Sequence, residues 1–220
     1  MILLQDSASL KQHLKKPYMK PLLHRASDSS PSLISRSWSI REFWEHLTFN
    51  PRKPIIAYDY SVDKERTQVR TVEEARQHWQ TAVDERSSAW NLLDIENHTP
   101  DFCPPCITEV DLLSLVYHYT SATSGKIDST WSRAWKEFLI FSEKNSSSPI
   151  HVDNAGQHTV ILILEGRKIW YFPRNLDMDS VLWFAEAGTQ YPHGYRDWWA
   201  RVELRAGDIM YVRSLSKSGY

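Results

Sequence analysis

The chain has 220 residues, 41% of them apolar and 12% aromatic, enough to bury a core and too apolar for global disorder. Its 26 lysines and arginines nearly balance 27 aspartates and glutamates, which argues against a general polyanion-binding surface and leaves no strong nucleic-acid signature. The longest aliphatic run, Val160 to Leu164, falls far short of the roughly 20 residues of a spanning helix, and Met1–Leu4 is too short for a secretory leader. The expectation is a soluble protein of the cytoplasm or nucleus.

Residues 1–36 are polar and broken, a partly disordered lead with Ser27 to Ser32 as a linker. Within it, Leu10 to Leu14 is amphipathic but shows no clear core face. A domain over residues 37–220 follows, with a helical part at 37–134, a β core at 135–212 and an atypical tail at 213–220. Ser39 and Glu42 form a capping box, and Phe43, Trp44 and Leu47 follow at helical spacing. Pro54 to Tyr58 reads as a buried strand. Thr71 and Glu74 make a second capping box, opening a helix through Ala75, Trp79 and Val83. Ala89 to Ile95 is an extended or turn segment, Thr108 to Tyr119 is a helix with Val110, Leu113, Val116 and Tyr117 on one stripe, and Ser121 to Asp128 is a loop.

The cysteines, Cys103 and Cys106, stand in Cys-Pro-Pro-Cys. The prolines predict a loop and an inert pair; a disulfide or redox role, or a metal site, are the alternatives.

From Trp135 the grammar changes to short strands. Thr159 to Leu164 and Arg167 to Phe172 are β-rich runs separated by Glu165 and Gly166, a two-residue hairpin signal. Such a hairpin sets Leu164 opposite Arg167 and Ile163 opposite Lys168. Thr159, Ile161, Ile163, Lys168, Trp170 and Phe172 then share one face. Ala200 to Arg205 and Ile209 to Val212 form a later pair of strands, joined by Ala206, Gly207 and Asp208. A helical first half before a strand-rich second half predicts an α+β fold whose strands make a sandwich or barrel.

Two patterns in the β core carry chemistry. His151 and Asp153 lie two apart, so on an extended chain their side chains converge on one face. Those are two of the three ligands of a 2-His-1-carboxylate triad, which holds Fe(II) with positions open for co-substrate. Lys168 is the second: an ammonium on an apolar face needs a counter-charge. A dicarboxylate that chelates iron at one end and meets a lysine at the other satisfies both patterns, and Thr159 adds a hydroxyl on the same face. Against this stand a lysine that snorkels to the rim and a histidine that bonds locally.

The run from Phe138 through His151 and Asp153 to Tyr171, together with Val202 to Val212, resembles a JmjC domain. The likeness covers roughly residues 50–212 and is most specific over 138–172. That family consists of cupin-like Fe(II)/2-oxoglutarate-dependent oxygenases, so the resemblance implies a double-stranded β-helix, or jelly-roll. It implies His151 and Asp153 as iron ligands and Lys168 on the distal carboxylate of 2-oxoglutarate, with Ser148 or Thr159 supplying a hydroxyl. The activity implied is hydroxylation or demethylation of a protein side chain, or oxidation of a small molecule.

The sequence departs from the family after Gly207. The family's third ligand is a histidine beyond this turn, whereas Arg213 to Tyr220 contains none. His193 is a weaker substitute, more naturally a loop histidine. The expectation is therefore an incomplete jelly-roll, a dioxygenase impaired in this chain, and an open sheet edge that invites edge-strand association or a homodimer. The alternative is a non-catalytic cupin-like binding module.

Overall fold

A computed structural model describes residues 1–4, 6–14, 21–27, 32–34, 39–47, 52–59, 67–96, 103–109, 119, 138–148, 151, 158–174 and 199–212. In chain order the first elements are β1 (Ile2–Leu4), α1 (Ser7–Leu14), β2 (Leu22–His24), α2 (Ile40–Leu47), β3 (Pro54–Asp59), β4 (Thr67–Thr71) and α3 (Val72–Gln80). They are followed by β5 (Trp90–Glu96), α4 (Pro105–Thr108), β6 (Phe138–Ser142), β7 (Thr159–Leu162), β8 (Arg167–Pro173), β9 (Trp199–Arg205) and β10 (Ile209–Val212). Mixed content, with most strands in antiparallel sheets and few helices, makes this an α+β protein. The chain divides into two compact units: Met1–Trp38 with Asp101–Asp111 and Pro149–Tyr220, and Ser39–Pro100 with Leu112–Ser148.

The second of these units is a four-stranded antiparallel sheet, β4-β3-β5-β6, with α2 and α3. Strand β3 alternates as the half-buried pattern requires, with Ile55, Ala57 and Asp59 buried between more open neighbours. Both expected capping boxes form. Ser39 N–H donates to Glu42 at 2.9 Å, and Thr71 N–H to Glu74 at 2.6 Å while the Glu74 N–H returns to Thr71 Oγ1 at 3.1 Å. Helix α3 stops at Gln80, so Val83 lies beyond it and is 70% exposed rather than on a core stripe. Phe43, Trp44, Trp79 and Phe141 form one aromatic cluster that joins α2 and α3 to β6, with the Phe43 and Phe141 rings stacked at 4.6 Å.

The first unit holds the β core. One sheet runs β1-β2-β10-β7, with β1 and β2 parallel and the other pairs antiparallel; β8 and β9 make a second, two-stranded sheet. Residues 1–36, polar and broken in sequence, contribute β1, α1 and β2, and Leu10 and Leu14 are buried, so α1 has the core face its composition hid.

The hairpin expected at Glu165-Gly166 does not form. Strand β7 pairs with β10, Thr159 opposite Val212 and Ile161 opposite Met210. Strand β8 pairs with β9, Lys168 opposite Leu204 and Trp170 opposite Val202. The later strands, β9 and β10, likewise pair with these partners and not with each other. Both pairings belong to one long ribbon, joined at mid-length by Ile163 N–H to Asp208 O, Gly207 N–H to Ile163 O and Ala206 N–H to Gly166 O. Between the two halves the β7–β8 side carries one more residue than the β9–β10 side, the signature of a bulge. Gly166, with φ 76°, is the bend in that ribbon and not a turn between paired strands.

The Cys-Pro-Pro-Cys stretch is also not the loop expected. Pro104 N-caps the short helix α4 and Pro105 opens it, since proline fixes the helical φ and its missing N–H costs nothing there. Cys103 and Cys106 are not joined in a disulfide and pack half-buried against the cluster of Leu10, Leu14 and Ile107. The helix expected over Thr108–Tyr119 lies outside the described residues apart from its ends, and the loop expected over Ser121–Asp128 lies wholly outside them.

Candidate functional site

Lys168 occupies the inward face of β8. Its cross-strand partner Leu204 is fully buried, and its neighbours on that face, Trp170 and Phe172, pack against the cluster of Leu23, Ile163, Val202, Leu204 and Met210. The expected face therefore forms, although by a different pairing. In a hairpin the turn would reverse the parity between residues 163 and 168; here the bulge does the same. The Lys168 ammonium lies 5.6 Å from the centre of the Trp170 ring, within cation–π range. Burial lowers its pKa from the ordinary lysine value, because the apolar surroundings disfavour the charged form.

Thr159 opens β7 at the far end of the ribbon, half-buried opposite Val212. His151 is exposed and lies outside any strand. Asp153 and His193 fall outside the described residues, so the convergence of His151 with Asp153 rests on sequence spacing alone. Among the described residues no group of three His, Cys, Asp or Glu side chains is placed to hold a metal ion.

Ser148 belongs to the other unit. It is exposed, and its Oγ accepts a 3.1 Å hydrogen bond from Asn91 Nδ2, while Asn91 Oδ1 accepts one of 2.6 Å from Ser142. The chain before Ser148 is braced by a residue that the sequence did not single out. Glu143 accepts from the Trp90 backbone N–H at 2.6 Å, from His78 Nε2 at 2.9 Å and from the Arg86 guanidinium. Its own N–H returns to Trp90 O at 3.1 Å, and the His78 ring stacks on Trp90 at 4.0 Å. A carboxylate this buried needs several donors, and those donors come from α3, the following loop and β5. Nothing in local sequence pairs Glu143 with His78 or Arg86, more than fifty residues away.

Asp208, between β9 and β10, was also missed. It is 2% exposed and accepts from Arg25 Nη1 at 2.9 Å, Ala26 N–H at 3.0 Å and Arg205 N–H at 2.9 Å. A Gly-Asp turn signals a bend, but only the third dimension shows that its carboxylate captures the segment after β2.

No protein-family model matches this sequence, and a comparison with curated proteins finds no significant match.

Proposed function

We propose that the chain carries a JmjC-like site for Fe(II) and 2-oxoglutarate on a jelly-roll scaffold, with hydroxylation or demethylation of a protein side chain, or oxidation of a small molecule, as its reaction class. The observation that carries this reading is Lys168: a cation on the inner, apolar face of an antiparallel strand, seventeen residues after His151. A ribbon whose halves enter two sheets, with Ile163, Val202, Leu204 and Met210 gathered on its inner side, supports the jelly-roll part of the reading.

The residues present fit the anion end of such a site. The Lys168 ammonium would receive the distal carboxylate, recovering the charge stabilisation that burial removes. Trp170 and Leu204 would wall the pocket, excluding water so that the ion pair is stronger than in bulk solvent. His151 and Asp153 would hold the iron. When bound, iron with 2-oxoglutarate and dioxygen would supply oxidative decarboxylation to succinate and carbon dioxide, one oxygen atom of dioxygen going to succinate and the other into a substrate C–H bond. With two assigned protein ligands, the metal is held less firmly than by a full triad. Co-substrate anchoring by Lys168 adds to the assembly.

Anaerobic titration with Fe(II) and 2-oxoglutarate is expected to produce the weak visible charge-transfer band of a chelated complex. His151→Ala abolishes the band, and Lys168→Ala raises the 2-oxoglutarate concentration needed by about tenfold or more. Thermal stabilisation by the two ligands together should follow the same order. Binding of 2-oxoglutarate to Lys168→Ala as tight as to the unaltered protein would sink the proposal.

A further inference from the structure

On the β8–β9 sheet, the side opposite Lys168 is of another kind. Cross-strand pairing sets Arg167 opposite Arg205, Ile169 opposite Glu203, Tyr171 opposite Arg201 and Pro173 opposite Trp199. Arg174 follows at the end, its Nε donating to Trp199 O at 3.1 Å. Three arginines, Arg167, Arg201 and Arg205, therefore line a stripe roughly 13 Å long, at about 3.3 Å per residue. One carboxylate, Glu203, stands among them, and Glu165 is exposed at the bend.

That arrangement is costly without a partner. Like charges directly opposite on a sheet repel, as Arg167 and Arg205 must. Glu203 answers only one of them closely: Arg205 Nε is 3.1 Å from its carboxylate, while Arg201 and Arg167 stand at 3.8 and 3.9 Å. The three side chains are 72%, 69% and 56% exposed at Arg167, Arg205 and Arg201. The whole chain has a net charge of −1, so this stripe is a local concentration that the overall balance hides. Beside it Tyr171 is 46% exposed and Ile169 42%, an open aromatic ring and an apolar ledge among the cations.

We propose that this outer face of β8 and β9 binds single-stranded RNA. Arginine forks match phosphate oxygens in geometry and charge. An exposed ring between them offers a base a stacking platform, the combination that single-strand surfaces use. An acidic peptide would meet the same cations but has no flat π face for Tyr171. Glu203 separates RNA from DNA: a carboxylate amid phosphate-binding groups repels a second anion, yet it accepts a hydrogen bond from a ribose 2′-hydroxyl, which deoxyribose lacks. The surface lies on the opposite side of the strand from Lys168, so it stands whether or not the oxygenase reading holds.

The test uses the full chain and a fluorescein-labelled mixed-sequence RNA 12-mer, read by anisotropy across a salt series. The expected result is binding that weakens with salt. Arg201→Gln with Arg205→Gln weakens it about tenfold or more and lowers the log–log salt slope by about 1.4, two contacts at about 0.7 each. Tyr171→Ala costs about fivefold or more. Arg41→Glu with Arg76→Glu, in the other unit, leaves affinity unchanged. Melting curves establish that each variant is folded, and Arg167→Gln, at an exposed strand end, replaces any that is not. No binding, a slope unmoved by the arginine variants, equal affinity for the same-sequence DNA, or equal affinity for a polyglutamate 12-mer each overturns the proposal.

Discussion

A single buried histidine gives the core of the first unit a dependence on pH. His24 ends β2, is 1% exposed and pairs with Ile209 of β10. Burial lowers its pKa below the ordinary 6.5, and the nearby carboxylates of Asp208 and Asp6 only partly oppose this. The folded state therefore holds the neutral ring, while the unfolded chain takes up a proton near the ordinary value. Stability is complete above that value and falls as pH drops through the window between it and the lowered folded pKa, where the unfolded state binds more protons. Urea denaturation from about pH 8 to about pH 5 should show this decline. His24→Leu should remove its share of the slope; an unchanged slope would mean that the ring is solvated. Lys168 is shifted by the same physics with opposite consequence for ligands: an anion restores what burial takes from an ammonium.

At the scale of elements, legibility followed the range of the interactions. The capping boxes at Ser39 and Thr71 were readable because each closes over three residues, and both helices start where those boxes place them. Thr71→Ala removes the acceptor for the Glu74 N–H and the donor to Glu74, and should cost about 1 kcal/mol in chemical denaturation. Restoring the cap with Thr71→Ser should recover most of the loss; no loss in the alanine variant would mean that tertiary packing alone fixes the start of α3. The ribbon was not readable in the same way. Glu165-Gly166 signals a residue with positive φ, and a two-residue hairpin and a bend in a long ribbon both supply one. What chose between them was pairing between residues some forty positions apart, which no local pattern carries. Face alternation survived because hairpin and bulge both reverse the strand's parity, so Lys168 faces inward either way. The His151–Asp153 spacing is legible in sequence without a described geometry to set beside it.

At the scale of the molecule, the ends of the sequence are fastened together through one carboxylate. Asp208 takes donors from Arg25, Ala26 and Arg205, and beside it Gly207 has φ 88° with room for no more than a hydrogen. A Cβ added there would sit 2.8 Å from that of Ala26, so the turn and the segment after β2 are fitted closely to each other. This contact places β2 against β10 and thus completes the sheet that runs from β1 to β7. Asp208→Ala strands three buried or half-buried donors, and the loss of one such buried acceptor typically costs about 3 kcal/mol or more. The damage should be local to one unit. In hydrogen exchange, the amides of residues 22–24 and 209–212 should lose protection together, while those of β3 and β5, in the other unit, exchange at their former rates. Uniform loss of protection across both units would instead mean that they unfold as one cooperative body, and that the carboxylate of Asp208 supports more of the chain than the sheet it completes.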